Sequence, residues 1–265
     1  MLTKEFDYKG KKISCRVKGS GPLVVLVHGF GEDGNVWKAQ FDLFPENLLL
    51  IPDLPGSGGS EMIEDMSMEG MAGAIKSLID SLVPENEKIT IIGHSMGGYI
   101  TLAFAEKYPE TLEAFGLFHS SASADSEEKK ETRRKGIKFI QQHGSYEFFK
   151  TSTPNLFAPA TKEERSHLVT EQIEAVRNVD RAALVSYYES MINRPDRTRV
   201  LENSQVPVLF VMGKHDKAVP MEDGLKQCHL PQLSYIGLLQ NSGHMGMVEE
   251  TDRSNKLLTE FVKNL

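Results

Sequence analysis

A serine between a predicted buried strand and a predicted helix is the first candidate for chemistry in this sequence. The apolar run ITII leads into GHSMG, in which Ser95 lies between Gly93 and Gly97, and a helical pattern follows over 96–108. Glycines on both sides let a strand and a helix approach a serine held in a strained turn, which exposes its hydroxyl as a nucleophile. The alternative is that Ser95 only caps the helix. His94 is expected to pack or hydrogen-bond within the turn.

A serine hydroxyl becomes an effective nucleophile only when a base accepts its proton and a carboxylate orients that base. Asp216 follows the apolar run VPVLFVM, and His244 lies in the loop NSGHMG after the last predicted strand. Both residues therefore fall beyond the carboxyl ends of predicted strands, where open α/β sheets build their sites. His119 is the rival base and Asp125 the rival carboxylate, because both follow the apolar run AFGLF.

Backbone N–H groups near Ser95 are candidates for stabilising a negatively charged oxygen. Attack on a carbonyl places charge on its oxygen, and preorganised N–H donors stabilise that charge. Phe30 follows His28-Gly29 at the end of the first buried strand, and Met96 is the residue after Ser95. The amides of Phe30 and Met96 are therefore the predicted oxyanion hole. The alternative is that His28-Gly29 simply ends the strand.

Apolar and aromatic side chains near these positions are candidates for the wall of a substrate pocket. For most of those in the segment 125–203, the alternative is a core between helices. The candidates are Phe30, His119, Phe148, Phe149, Tyr187, Tyr188, Met191 and Met245.

The elements that must position these residues alternate between apolar runs and helical patterns. Lys4–Tyr8 and Lys12–Val17 flank a Lys-Gly-Lys turn and predict an N-terminal hairpin. Continuously apolar runs indicate strands that are buried on both faces of a mostly parallel sheet. The predicted strands are 22–27, 47–52, 88–92, 114–118, 206–212 and 233–238, and the helical patterns are 67–82, 96–108 and 251–265. This alternation predicts an α/β protein with a mostly parallel, doubly wound central sheet.

The segment 125–203 interrupts this alternation. It has no strand-like apolar run and contains charge-rich and helical patterns instead. A structureless loop of that length would be unusual in a compact domain, so the segment predicts several helices. We interpret it as a helical lid inserted into a core formed by residues 1–124 and 204–265.

Composition and charge argue against several functional classes. The formal net charge of −7 disfavours binding to nucleic acid. No apolar run approaches the ~20 residues of a membrane-spanning helix, and no signal-peptide pattern opens the chain, so we expect a cytoplasmic protein without a membrane span. Cys15 and Cys228 form no disulfide or zinc pattern and are expected to be buried thiols. No cluster of ligands has metal-binding spacing, and we expect no metal and no cofactor.

Five motifs together resemble the α/β-hydrolase fold superfamily across nearly the whole chain. They are HGFGEDGNVW, DLPGSGGS, GHSMGGYITLAFAEKYP, VMGKHDKAVP and NSGHMGMVEE. The order Ser95, Asp216, His244 is also the order of the catalytic groups in that superfamily. In particular, the chain resembles capped, single-domain bacterial hydrolases related to carboxylesterases and pimeloyl ester hydrolase, in which a lid lies between the sixth and seventh strands. Related dehalogenases and epoxide hydrolases carry aspartate at the nucleophile position, so their reactions are disfavoured.

The resulting hypothesis is a serine hydrolase that cleaves a small or medium acyl ester or thioester through an acyl-enzyme intermediate. The expected partner is a small-molecule acyl substrate, and the sequence leaves the oligomeric state open. Carbon–carbon bond hydrolases, acyltransferases and perhydrolases share the same catalytic groups and remain alternatives. A ligand-binding receptor with a slow or vestigial triad is a further alternative from a different functional class.

Overall fold

The computed structural model describes residues 2–265, and its centre is an eight-stranded sheet. Met1, with which the predicted core range 1–124 begins, lies outside the described residues. The strands are β1 (Leu2–Tyr8), β2 (Lys11–Lys18), β3 (Leu23–Val27), β4 (Leu48–Pro52), β5 (Ile89–His94), β6 (Leu112–Phe118), β7 (Val208–Gly213) and β8 (Ser234–Leu239). Their order across the sheet is β1-β2-β4-β3-β5-β6-β7-β8. Strands β3 to β8 are mutually parallel, and β2 is antiparallel to both β1 and β4, so the predicted hairpin and mostly parallel sheet are confirmed.

Both faces of the sheet are covered by other elements, which explains why its central strands are continuously apolar. In β3 every residue is buried, and alternate residues face opposite sides. Val25 and Val27 pack with the helices that follow β4 and β5, whereas Val24 and Leu26 pack with Trp37 and the C-terminal helix. This two-sided core confirms the predicted doubly wound arrangement.

The helices begin and end close to the predicted positions. Ser67 caps the first of them by accepting a hydrogen bond from the N–H of Gly70, and this helix ends at Asp80, two residues before the predicted end. Within residues 2–265, none of the helices is long and apolar enough to cross a bilayer. The helices are α1 (Met68–Asp80), α2 (Met96–Lys107), α3 (Glu127–His143), α4 (Ser145–Ser152), α5 (Pro159–Glu164), α6 (Ser166–Ala175), α7 (Arg181–Asn193), α8 (Thr198–Glu202), α9 (Met221–Leu225), α10 (Gly246–Glu249) and α11 (Thr251–Lys263), with 3-10 helices at Gly34–Gln40, Pro109–Thr111 and Thr153–Leu156.

Helices α3 to α8 all lie between β6 and β7, in the segment predicted to be an inserted lid. Three contacts locate this segment over the carboxyl ends of the strands. The Tyr187 hydroxyl donates to the carbonyl of Pro55 after β4, and the Phe149 ring lies against Gly31 after β3. The N–H of His244, after β8, donates to the carbonyl of Leu156 at 2.6 Å. The inserted helices therefore cover the sheet edge at which the candidate catalytic residues were expected.

Both cysteine thiols are free. Cys15 on β2 is buried, which raises the pKa of its thiol to about 11 and leaves it protonated at neutral pH. Cys228 is only partly buried, so the expectation of two buried thiols is wrong for Cys228. Its position after the short helix α9, at the margin of the core, explains the difference.

Candidate active site

Ser95 occupies the tight turn between β5 and α2. Its backbone has φ 52° and ψ −117°, a conformation that side-chain-bearing residues rarely adopt. A Cβ at Gly93 would collide with the backbone of Gly97, and a Cβ at Gly97 would collide with the carbonyls of Val27 and His28. The two glycines therefore let β3, β5 and α2 converge on a strained serine, which is the geometry of a nucleophile elbow.

Ser95, His244 and Asp216 form a continuous chain of hydrogen bonds. The Nε2 atom of His244 lies 2.8 Å from Ser95 Oγ, and its Nδ1 atom lies 2.7 Å from Asp216 Oδ2. His244 and Asp216 are 4% and 6% exposed, so both contacts are largely shielded from water. This arrangement can transfer the serine proton to an imidazole whose tautomer is fixed by a carboxylate.

Asp216 is held by four hydrogen-bond donors. Its Oδ1 accepts from the N–H groups of Ala218 and Val219, both at 2.9 Å, and its Oδ2 contacts the Nδ1 atoms of His244 and His119. Burial acts to raise the pKa of this carboxyl, but the charge of His244 and the imidazole hydrogen bonds outweigh it and hold the pKa well below the usual value. Asp216 is therefore an ionised, oriented partner for His244.

The rival residues do not replace these three. Asp125 forms ion pairs with Arg133 at 2.5 Å and with Arg194 at 3.0 Å, which places its carboxylate in a separate cluster. His119 reaches Asp216 through Nδ1 at 3.0 Å, while its Nε2 has no hydrogen-bond partner in the described part of the chain. His244, and not His119, therefore contacts the serine.

The turn after β3 approaches Ser95 closely and carries the candidate oxyanion donors. A Cβ at Gly29 would lie 3.2 Å from the Cβ of Ser95. The N–H of Leu54 donates to His28 Nε2 at 2.8 Å, which anchors the turn to the loop after β4. Within residues 2–265, the N–H of Phe30 meets no protein acceptor, and Met96 is the first residue of α2, where N–H groups lack intrahelical partners. Both amides are thus free to bind a ligand oxygen.

A buried carboxylate and imidazole, Glu32 and His94, lie directly beneath this turn. Glu32 Oε2 accepts from the N–H of Gly29 at 2.7 Å and lies 3.0 Å from His94 Nδ1, and His94 Nε2 lies 3.0 Å from the carbonyl oxygen of His244. Burial opposes charge on both, yet their mutual attraction and hydrogen bonds lower the pKa of Glu32 and raise the pKa of His94. The pair is an ion pair that links the turn after β3 to the loop of His244. Glu32 was missed in the sequence, where its position three residues after Gly29 in HGFGE is the available signal.

A second buried carboxylate, Glu249 on α10, holds the loop of His244. Its Oε1 accepts from the N–H groups of Gly243 and Met245, and its Oε2 accepts from the N–H of Ala158 and the hydroxyl of Thr161. One side chain therefore fixes both the histidine loop and the adjacent inserted segment. No sequence pattern identified this residue.

A cavity of about 450 Å³ opens beside Ser95 and His244. Of the predicted pocket residues, three line it: Phe30, Tyr188 and Met191. The Tyr188 ring stacks on Phe30 with centroids 4.3 Å apart. Residues that the sequence did not suggest also line it: Glu32, His94, Tyr99, Ser126, Glu128, Lys129, Thr132, Arg133, Leu156, Lys217, Ala218 and Val219.

The other five predicted pocket residues are not among those that line this cavity. Phe149 lies against Gly31, and Phe148 packs edge-on behind Phe30. The Tyr187 hydroxyl is hydrogen-bonded to the carbonyl of Pro55 and to the hydroxyl of Ser57, and the residue is fully buried. His119 and Met245 are buried and do not line the cavity.

His119, Asp216 and His244 also bring three potential metal-ligand atoms within 4.8 Å of one another. No spacing pattern along the sequence indicates this group, because its members lie in three distant loops. Each histidine directs its Nδ1 at Asp216 Oδ2 over a hydrogen-bond distance, so the carboxylate oxygen already has two imidazole partners. We interpret the group as a hydrogen-bond network.

The chain matches a protein-family model over most of its length and is similar to several named hydrolases. The model of the alpha/beta hydrolase family matches residues 24–256. Monoacylglycerol lipase ABHD6 from Bos taurus is 22% identical over 267 residues, covering 93% of this chain and 77% of that protein. The solved structure of a thermophilic esterase from Thermogutta terrifontis, with malate bound, is 27% identical with a TM-score of 0.92, covering 100% of this chain and 99% of that one. The enol-lactonase from Burkholderia xenovorans LB400 has a TM-score of 0.89 at 21% identity, covering 98% and 100%, a likeness that concerns the fold alone.

Proposed function

We propose that this chain, which belongs to the alpha/beta hydrolase family, is a serine hydrolase of carboxylesterase type that cleaves a small or medium acyl ester or thioester. The observation that carries the proposal is the chain of contacts from Ser95 Oγ to His244 to Asp216, with distances of 2.8 Å and 2.7 Å. Esterases and a monoacylglycerol lipase among the relatives support an ester as substrate.

In the proposed reaction, Ser95 Oγ attacks the carbonyl carbon while His244 Nε2 takes the hydroxyl proton. Asp216 stabilises the imidazolium, and the amides of Phe30 and Met96 donate to the carbonyl oxygen as it becomes negatively charged. The tetrahedral intermediate collapses, His244 donates its proton to the leaving alcohol or thiol, and Ser95 is left acylated. A water molecule, deprotonated by His244, then attacks the acyl group, and the carboxylic acid leaves as Ser95 regains its proton.

The cavity lining supports a substrate with an apolar acyl portion. Phe30, Leu156, Tyr188, Met191 and Val219 provide apolar surface beside Ser95. The volume of about 450 Å³ suits a small or medium ester. Charged groups occupy the wall formed by the start of α3, and this wall is suited to the polar part of the substrate.

We further propose the division suggested by the sequence: a core of residues 1–124 and 204–265, and a lid of residues 125–203. The lid would supply Arg133, Leu156, Tyr188 and Met191 to the cavity and no member of the triad. Its role in this proposal is to select the substrate, while the core performs the chemistry.

The proposal is tested by hydrolysis of p-nitrophenyl esters of increasing acyl length by the wild-type protein and by Ser95→Ala. We expect the variant to lose at least about 10⁴-fold in kcat/KM on every substrate hydrolysed by the wild type, because the covalent route disappears. Ser81→Ala is the matched control, because Ser81 is exposed at the end of α1. This variant should hydrolyse every ester at the wild-type rate. A matched thioester, followed by thiol release, tests the second substrate class. Retention of wild-type rates by Ser95→Ala would overturn the proposal.

A further inference from the structure

His119, which follows β6 directly, places a second imidazole against the carboxylate of Asp216. Its Nδ1 atom lies 3.0 Å from Asp216 Oδ2, the same oxygen that contacts His244 Nδ1 at 2.7 Å. The residue is 1% exposed and does not line the cavity. His119 therefore contacts the proposed catalytic machinery without access to substrate.

This imidazole is closely packed, and its backbone is strained. His119 has φ 50°, a left-handed conformation that is unfavourable for a residue with a side chain. A Cβ at Gly213 would lie 2.8 Å from His119 Cε1, and a Cβ at Gly246 would collide with its Nε2. The ring thus packs tightly against Gly213 and Gly246, and its own backbone is strained.

The contacts of the ring define its tautomer. Asp216 is ionised and can only accept a hydrogen bond, so His119 Nδ1 carries a proton. His119 Nε2 is buried without a partner in the described residues, and burial lowers the pKa of His119 to about 4. The titratable groups around the ring are Asp216, His244 and His94, with Glu32 on the far side of His94. The ring is thus a neutral imidazole that donates through Nδ1 only.

We infer that His119 is a positioning residue: its Nδ1–H donates the second imidazole hydrogen bond to Asp216 Oδ2 and thereby sets the pH range over which His244 acts as a base. This inference rests on the proposed function. A second donor keeps the shared oxygen in place and draws electron density from it. Asp216 then stabilises the imidazolium of His244 less strongly than an aspartate with one donor would, because hydrogen bonds to a carboxylate reduce its basicity. The free base therefore persists to lower pH.

Two variants of His119 distinguish the effect of its N–H donor from the effect of the volume of its ring. His119→Asn keeps an N–H donor near the position of Nδ1, and His119→Gly removes it; both residues tolerate a positive φ. We expect His119→Gly to move the acid limb of the kcat/KM profile upward by about one pH unit, and so to lower kcat/KM about tenfold below that limb. His119→Asn should restore most of the shift. A purely structural role would lower the stability of His119→Gly and leave its pH profile unchanged, which would overturn the inference.

The wild-type protein provides a test that does not depend on the folding of a variant. In ¹⁵N-histidine-labelled protein, with the signal assigned by its absence from His119→Asn, we expect His119 to stay neutral with the proton on Nδ1 from about pH 5 to about pH 9. A proton on Nε2, or protonation of both nitrogens within this range, would overturn the inference. The proposed function is tested independently: it is overturned if Ser95→Ala retains wild-type activity, whatever the state of His119.

Discussion

The carboxyl edge of the sheet and the inserted helices form opposite walls of one cavity, but they hold their side chains by different means. At the sheet edge, polar side chains form several hydrogen bonds each. Asp216 accepts from four donors, and Glu249 accepts from four groups in two segments. On the inserted side, Tyr188 stacks on Phe30 of the turn after β3 and packs edge-on against Phe148. Hydrogen-bond networks fix positions closely, whereas apolar contacts tolerate rearrangement. The rigid wall is thus suited to chemistry and the adaptable wall to selecting a substrate.

The sharpest test of the rigid wall compares two buried aspartates. Asp216→Asn should lower kcat by about 10⁴-fold, because an amide favours the wrong tautomer of His244. Asp125→Asn should change kcat little, since Asp125 is bonded to Arg133 and Arg194 instead. It should instead reduce the free energy of unfolding by about 3 kcal/mol by leaving two arginines unpaired. Steady-state kinetics and urea unfolding distinguish these results, and equal losses in kcat would contradict the assignment.

The ion pair beneath the turn after β3 gives the next largest effect. Glu32→Gln should lower the free energy of unfolding by about 3 kcal/mol, because His94 would lose its buried partner. The pKa of His94 is raised in the folded protein, so the contribution of the pair is fully present between about pH 4.5 and about pH 6.5 and is lost as the pH rises through the raised pKa. Urea unfolding of the wild type and the variant from about pH 4.5 to well above pH 6.5 measures the difference. Glu85→Gln, at an exposed site, is the control and should behave as the wild type at every pH. A difference that grows with rising pH would contradict the ion pair.

The smallest effects are expected on the adaptable wall. Tyr188→Ala should change the relative kcat/KM for short and long acyl esters by about tenfold, because it enlarges the cavity. Phe149→Ala should leave that ratio unchanged and lower the free energy of unfolding by about 3 kcal/mol, because Phe149 lies in the core. The two variants are matched aromatic truncations in the inserted helices. An unchanged acyl-length profile for Tyr188→Ala would contradict its place in the pocket.

The sequence predicted the sheet and the convergence of Ser95, Asp216 and His244 because parallel strands impose both. Continuous apolar runs identify strands covered on two faces, and the carboxyl ends of parallel strands must meet at one edge. A residue directly after such a strand is thereby located in space without knowledge of side-chain packing. The ends of the predicted strands lie within two residues of those observed.

The inserted helices were less predictable because neighbouring residues on a helix face different surroundings. Tyr187 and Tyr188 are adjacent on α7, yet Tyr187 is enclosed beside Pro55, whereas Tyr188 lines the cavity. Successive residues point about 100° apart around a helix, so the docking of the helix decides which one reaches the cavity. The sequence does not encode that docking in any local pattern. Glu32 and Glu249 were missed for a related reason, since each also bonds a residue that is distant in the sequence: Glu32 contacts His94, and Glu249 accepts from the N–H of Ala158.

The central claim is that Ser95 is the nucleophile that carries the acyl group, and mass spectrometry of the labelled protein tests it most directly. The wild-type protein is treated with a fluorophosphonate, and the modified residue is identified by peptide mapping. We predict one adduct per chain, on Ser95, with labelling strongly slowed in His244→Ala because the base is missing. Modification of a different serine, or no adduct in protein that hydrolyses esters, would contradict the account.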